Sequence, residues 1–161
     1  VRLRRARPDL AVERGEQLLA WATDVDGLAI GGTRDALYLR DHRIPWEQVE
    51  AADWDADTSV LTVREVGVWG QERPEHRVTL DDVGRLLELV RERVTASIVL
   101  QRHVALRGRQ GVRVIARRAP HSRGHIDWLF EYDEGIDPDD PEIRAASQAA
   151  LEAASGEVDL G

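Results

Sequence analysis

The stretch from Thr79 to Ile98, TLDDVGRLLELVRERVTASI, is where the chain changes its period. Val83, Leu86, Leu87, Val90, Val94 and Ile98 recur at intervals of three and four, which places them on one face of a helix of roughly 20 residues. Thr79 precedes Asp82 by three positions, an approximate capping box. Asp81 with Arg85, and Glu88 with Arg91, then lace the opposite face with exposed ion pairs.

Upstream the pattern is different. Short apolar stretches run from 17 to 23, 27 to 31, 36 to 40, 44 to 53, 59 to 66 and 76 to 80, each bounded by a turn signal such as Asp24–Gly27, Gly31-Gly32 or Asp55–Asp57. Strands at this spacing indicate an antiparallel sandwich or barrel rather than βαβ units. Residues 1–14 carry five Arg with little apolar periodicity and read as a flexible basic arm.

Downstream, Val104 and Leu106, then Val112, Val114 and Ala116, then Trp128, Phe130 and Tyr132 alternate with polar neighbours. The spacing predicts a three-stranded antiparallel meander. A connecting loop symmetric about Ser122 sets Arg117 opposite Asp127 and Arg113 opposite Glu131, leaving one face apolar and the other charged. Asp140 as N-cap and Pro141 at the first helical position start a short Ala-rich helix that ends at Gly156.

Hydrophobic residues are 42% of the chain and charged residues 32%, the balance of a globular protein. The absence of Cys excludes disulfides, thiolate catalysis and Cys-type zinc sites. All 22 basic residues are Arg, and Lys, Asn and Met are absent, a bias expected of a G+C-rich coding sequence. No apolar run suffices for a membrane span and no secretory signal pattern opens the chain, so a cytoplasmic location is expected. The net charge of −8 is unevenly spread. Residues 102–125 hold seven Arg and no acid, whereas residues 126–161 hold one Arg against 11 acids.

A meander of short strands followed by an amphipathic helix resembles the pleckstrin-homology superfold, including its bacterial variants. The resemblance rests on Gly32-Thr33 before Ala36-Leu37-Tyr38-Leu39, on Arg43-Ile44-Pro45-Trp46-Glu47-Gln48-Val49 entering a strand, and on the hairpin at Asp55–Thr58. The chain also resembles uncharacterised proteins of high-G+C bacteria. The implied organisation is an arm (1–14), a pleckstrin-like domain (15–100) and a meander-plus-helix extension (101–161). The expected class is α+β, a pleckstrin-like barrel or sandwich capped by a long helix. The resemblance implies a binding or scaffolding module rather than an enzyme. Phosphoinositide-binding members carry basic residues around the first inter-strand loop; here Thr23–Gly27 is acidic and repels phosphate.

The leading expectation is therefore a non-enzymatic module with a protein partner, without cofactor or metal. An alternative is nucleic-acid or polyanion binding through Arg107, Arg109, Arg118 and Arg123, set against neutralisation of the basic block by strand partners or the acidic tail. A third is a small metal-dependent enzyme using His121, His125 or Asp127, although Pro120, Ser122 and Gly124 deny that segment helical geometry. Trp69, flanked by glycines, is the candidate exposed aromatic. Gly31-Gly32-Thr33 lacks the ending of a phosphate loop and reads as a turn; Asp53, Asp55 and Asp57 lack the rest of a calcium loop and read as hairpin chemistry.

Overall fold

The computed structural model describes residues 8, 10–40, 42–67, 73–120 and 122–159. It is α+β, with a seven-stranded antiparallel sheet, a three-stranded antiparallel sheet and two α-helices. The chain divides into two compact units, residues 1–96 and 97–161. The basic arm lies largely outside the described residues, as do Trp69 and His121.

In the first unit the strands are β1 (Ala20–Asp24), β2 (Ala29–Gly32), β3 (Ala36–Leu39), β4 (His42–Pro45), β5 (Val49–Asp55), β6 (Val60–Glu65) and β7 (Glu75–Asp82). Their order across the sheet is β4-β3-β2-β1-β7-β6-β5. The pairing is open rather than closed into a barrel: β4 and β5 form the two edges. The apolar stretch at 44–53, expected as one strand, is two. Pro45 has no amide proton to continue a ladder, and a 3-10 turn at Trp46–Gln48 redirects the chain into β5. Gly31 and Gly32, expected as a turn, pair within β2 instead. The true turn follows, where the Thr33 hydroxyl accepts the Asp35 and Ala36 amides.

Alternation along these strands sends Ala22, Ile30, Leu37, Leu39, Ile44, Leu61, Val63, Val78 and Leu80 into one core with Trp46 and Val49. The helix α1 (Leu86–Ala96) adds Leu86 and Val90 to the same core. Gly32 permits a close approach to it, since a Cβ there would stand 2.7 Å from Leu89 Cδ2 and 3.1 Å from Trp46 Cζ2. The helix is shorter than its sequence pattern suggests. Thr79 and Asp82 belong to β7 rather than to a capping box, Gly84 turns left-handed at φ 48°, and the Asp82 carboxylate accepts the Gly84 amide. At its far end Ile98 already belongs to the next strand, so the helical stripe stops at Val94.

The second unit contains β8 (Ile98–Arg107), β9 (Gln110–Arg117), β10 (Asp127–Tyr132) and α2 (Pro141–Asp159), with sheet order β10-β9-β8. The register between β9 and β10 matches the alternation: Arg117 opposite Asp127, Arg113 opposite Glu131, and Ala116, Val114 and Val112 opposite Trp128, Phe130 and Tyr132. Val114 packs with Ala150 and Ala154 of α2, and Leu100, Val104, Trp128, Phe130 and Leu151 close around them. The Asp140 carboxylate accepts the Glu142 amide at 2.9 Å, the N-cap expected before Pro141. Gly156 does not end α2, which runs on to Asp159. Among the described residues, no helix is long and apolar enough to cross a membrane.

Candidate functional site

Among the described residues, three polar arrangements are candidates for a site. The first is the basic block. Arg107, near the β8–β9 turn, lies 3.3 Å from both the Asp140 and Glu142 carboxylates at the start of α2, and Arg102 lies 2.9 Å from Glu157 near its end. The acidic helix thus folds over part of the basic strand. Arg117 is buried and donates to the Ser97 hydroxyl at 2.8 Å; burial lowers its pKa, while Glu131 acts in the opposite sense. Arg109 and Arg123 are exposed and Arg118 is half-buried, and none of the three forms an ion pair with a described residue. His125 lies 3.1 Å from Asp127. His121 and Trp69, both singled out by the sequence, fall outside the described residues.

The second arrangement is a cleft of about 470 Å³ at the base of the loop joining β1 and β2, lined by Leu10, Ala11, Leu28, Tyr38, Arg40 and Arg43, among others. Asp24, the last residue of β1, organises the loop. One carboxylate oxygen accepts the Asp26 and Leu28 amides, each at 2.8 Å, and the other accepts from Arg40 at 3.2 Å. Burial alone would raise this carboxyl, but the Leu28 amide, the Arg40 guanidinium and the Asp26 amide outweigh it and hold the pKa below its ordinary value. Val25 and Leu28 are left facing solvent, 65% and 46% exposed.

Arg43, on the cleft wall, is similarly engaged. Its Nε donates to Glu16 at 3.1 Å and to the Tyr38 hydroxyl at 3.2 Å. Glu16 also accepts from the Thr33 hydroxyl at 2.6 Å and the Tyr38 hydroxyl at 2.7 Å. Against the burial that would raise it, these bonds and the Arg43 charge keep the Glu16 carboxyl below its usual range. Both cleft arginines therefore already have carboxylate partners.

The third arrangement was not foreseen from the sequence. His42 at the start of β4, Glu65 at the end of β6 and His76 near the start of β7 converge. Glu65 Oε2 lies 2.7 Å from His76 Nε2 and 3.2 Å from His42 Nε2, and the two imidazole centroids are 5.2 Å apart. Strand alternation explains the convergence. His42 is two residues from buried Ile44, Glu65 two from buried Val63, and His76 two from buried Val78, so each continues an inward-facing row. The rows end at a common rim. Only the alternation within each strand is visible in the sequence; the meeting of three strand ends comes from curvature of the sheet.

The aspartates at 53, 55 and 57 behave as a hairpin. Asp55 accepts the Asp57 and Thr58 amides across the β5–β6 turn. No family model matches the chain, and neither a curated protein nor a solved structure is significantly similar to it.

Proposed function

We propose that this chain is a non-enzymatic, cytoplasmic protein-interaction or scaffold module whose first unit is pleckstrin-homology-like. Support for the fold reading is the run of seven consecutive antiparallel strands followed directly by α1, whose Leu86 and Val90 enter the core of that sheet. This part of the reading is fold-level analogy.

The observation that carries the functional part is the state of the cleft beside the β1–β2 loop. A site for a phosphorylated ligand needs uncommitted cationic groups. Here Arg40 and Arg43 are matched by Asp24 and Glu16, Leu28 lines the cleft, and exposed Val25 stands on the same β1–β2 loop. Apolar side chains beside neutralised charge favour a peptide segment with its own apolar anchors, which gains from leaving water and has no phosphate to neutralise. The test is photo-crosslinking from a probe placed at Ala11, in wild type and in V25D/L28D. The expected result is a reproducible protein adduct that the double substitution abolishes. Absence of any protein adduct above background, or adducts indifferent to the two substitutions, overturns the reading.

Polyanion binding is the competing reading, favoured by Arg109, Arg118 and Arg123 lacking ion pairs with described residues. It is weakened by the engagement of Arg107 with Asp140 and Glu142 and by the overall charge of −8.

A further inference from the structure

We propose that His42, Glu65 and His76 form a binding site for a divalent transition-metal ion of the Zn²⁺ class. Two imidazoles and a carboxylate are the ligand types such an ion takes, and three protein ligands leave a coordination position for water or a group from a partner. In a tetrahedral site with metal–ligand bonds of about 2.0 Å, ligand atoms stand ~3.3 Å from one another. The His42–Glu65 and His76–Glu65 separations are 3.2 and 2.7 Å, and the three ligand atoms lie within 4.8 Å of one another. Small side-chain rotations bring them to a common centre.

The approach of the donor atoms is already arranged. In both histidines it is Nε2 that faces the carboxylate, so the imidazole lone pairs converge on one point once the ring proton resides on Nδ1. Glu65 is held at the strand end by its amide, which donates to the Pro74 carbonyl at 2.9 Å, and the next amide, of Val66, donates to Gln48 at 2.8 Å. His42 is 54% exposed at the side chain, His76 30% and Glu65 17%, a gradient that opens the site to solvent on the His42 side. An isolated histidine–carboxylate contact is common on protein surfaces. Here the second histidine comes from a strand with no backbone pairing to the other two: β4 is hydrogen-bonded to β3, while β6 and β7 are hydrogen-bonded to each other. An ion bound at this rim would tie β4 to β6 and β7, so binding would also stabilise the folded first unit.

The test uses the full chain, freed of metal by chelation and titrated with Zn²⁺ in a calorimeter, with Co²⁺ visible absorption as a second reading of geometry. Wild type should bind one Zn²⁺ at this site with a rise in melting temperature, and give the intense Co²⁺ bands of a tetrahedral site. H42A, E65Q and H76A should each weaken binding by roughly 100-fold or more, because losing a direct ligand costs at least as much as losing a group that orients one. H103A, which removes the histidine paired with Asp133, should leave that binding unchanged. His42 is exposed, so H42A retains the folded core and stays decisive even if E65Q or H76A fails to fold. An absence of Zn²⁺ binding in wild type, or Zn²⁺ affinity and melting shift retained in H42A, overturns the proposal.

Discussion

Arg40 reaches back across the sheet to Asp24, its Nη2 lying 3.2 Å from a carboxylate whose side chain is only 2% exposed. The second Asp24 oxygen holds two loop amides, so this carboxylate couples the shape of the β1–β2 loop to β3. D24A leaves those amides without their acceptor and should destabilise the first unit by about 1–3 kcal/mol, read as a shift in the urea midpoint. Unchanged stability would show that water replaces the carboxylate at no cost.

The same residue gives a pH dependence with a defined sign. Its folded pKa is below its ordinary value, so the stabilisation is present in full above the ordinary carboxylate range and is lost as pH falls through the depressed folded value. Glu16 shifts in the same direction. Stability should fall steeply below about pH 4. D24N, which no longer binds that proton, should show a shallower acid limb in pH-dependent thermal melts. Parallel limbs in D24N and wild type would contradict the assignment.

Trp46 fills the core at the turn between β4 and β5, fully buried, with its indole N–H donating to the Thr33 carbonyl at 2.9 Å. W46F keeps most of the apolar volume but strands that carbonyl, and W46A leaves a large cavity beside Leu89. Expected losses are about 1–3 kcal/mol for W46F and roughly 3–5 kcal/mol for W46A, measured by denaturant unfolding. Equal losses would mean that the hydrogen bond, not the packing, dominates.

The contrast between β9–β10 and the histidine cluster shows which features were legible in the sequence. Strict alternation from Val112 to Ala116 and from Trp128 to Tyr132 leaves one register that keeps the apolar set together, and that register is the one formed. In α1 the period of three and four was readable, but Gly84 cost the first turn and Ser97-Ile98 the last, because a left-handed glycine and an incoming strand override a stripe of Val and Leu. Pro45 was a visible warning that the apolar stretch around Trp46 is two strands. His42, Glu65 and His76 gave no local signal, since 34 residues separate the first from the last and only the bending of the sheet brings them together.

Gly111 is a sensitive point of the second unit. Residues on β8 approach it so closely that a Cβ would overlap the Val104 carbonyl oxygen and stand 2.8 Å from the Ala105 Cα. Both obstacles are backbone, which cannot rotate away. Its amide also donates to Asp133 Oδ2 at 2.8 Å, an oxygen that lies 2.8 Å from His103 Nε2. G111A should destabilise the second unit by roughly 3 kcal/mol or more. Hydrogen exchange should report the loss first in β8 and β9. Native protection in those strands would show that they part without penalty.

Whether the basic block is latent or simply neutralised can be decided by removing its partners. Arg102 and Arg107 are held by Glu157, Asp140 and Glu142, all on or next to α2. The triple variant D140N/E142Q/E157Q frees both guanidiniums, and the side-chain carbonyl oxygen that remains at the N-cap still accepts the backbone N–H of residue 142. Among the described residues, Arg109, Arg118 and Arg123 form no ion pair in wild type, and contact of all three with phosphates would give a log–log salt slope of about −2.7 on duplex DNA. Two further arginines would steepen it to about −4.5 and raise affinity at low salt by about tenfold or more. The expected result in fluorescence anisotropy is no wild-type binding at about 150 mM salt, and binding by the variant that disappears as salt is added. If the variant binds no better than wild type at low salt, the acidic helix is not what keeps this surface from polyanions, and Arg107 and Arg102 serve only to hold α2 on its sheet.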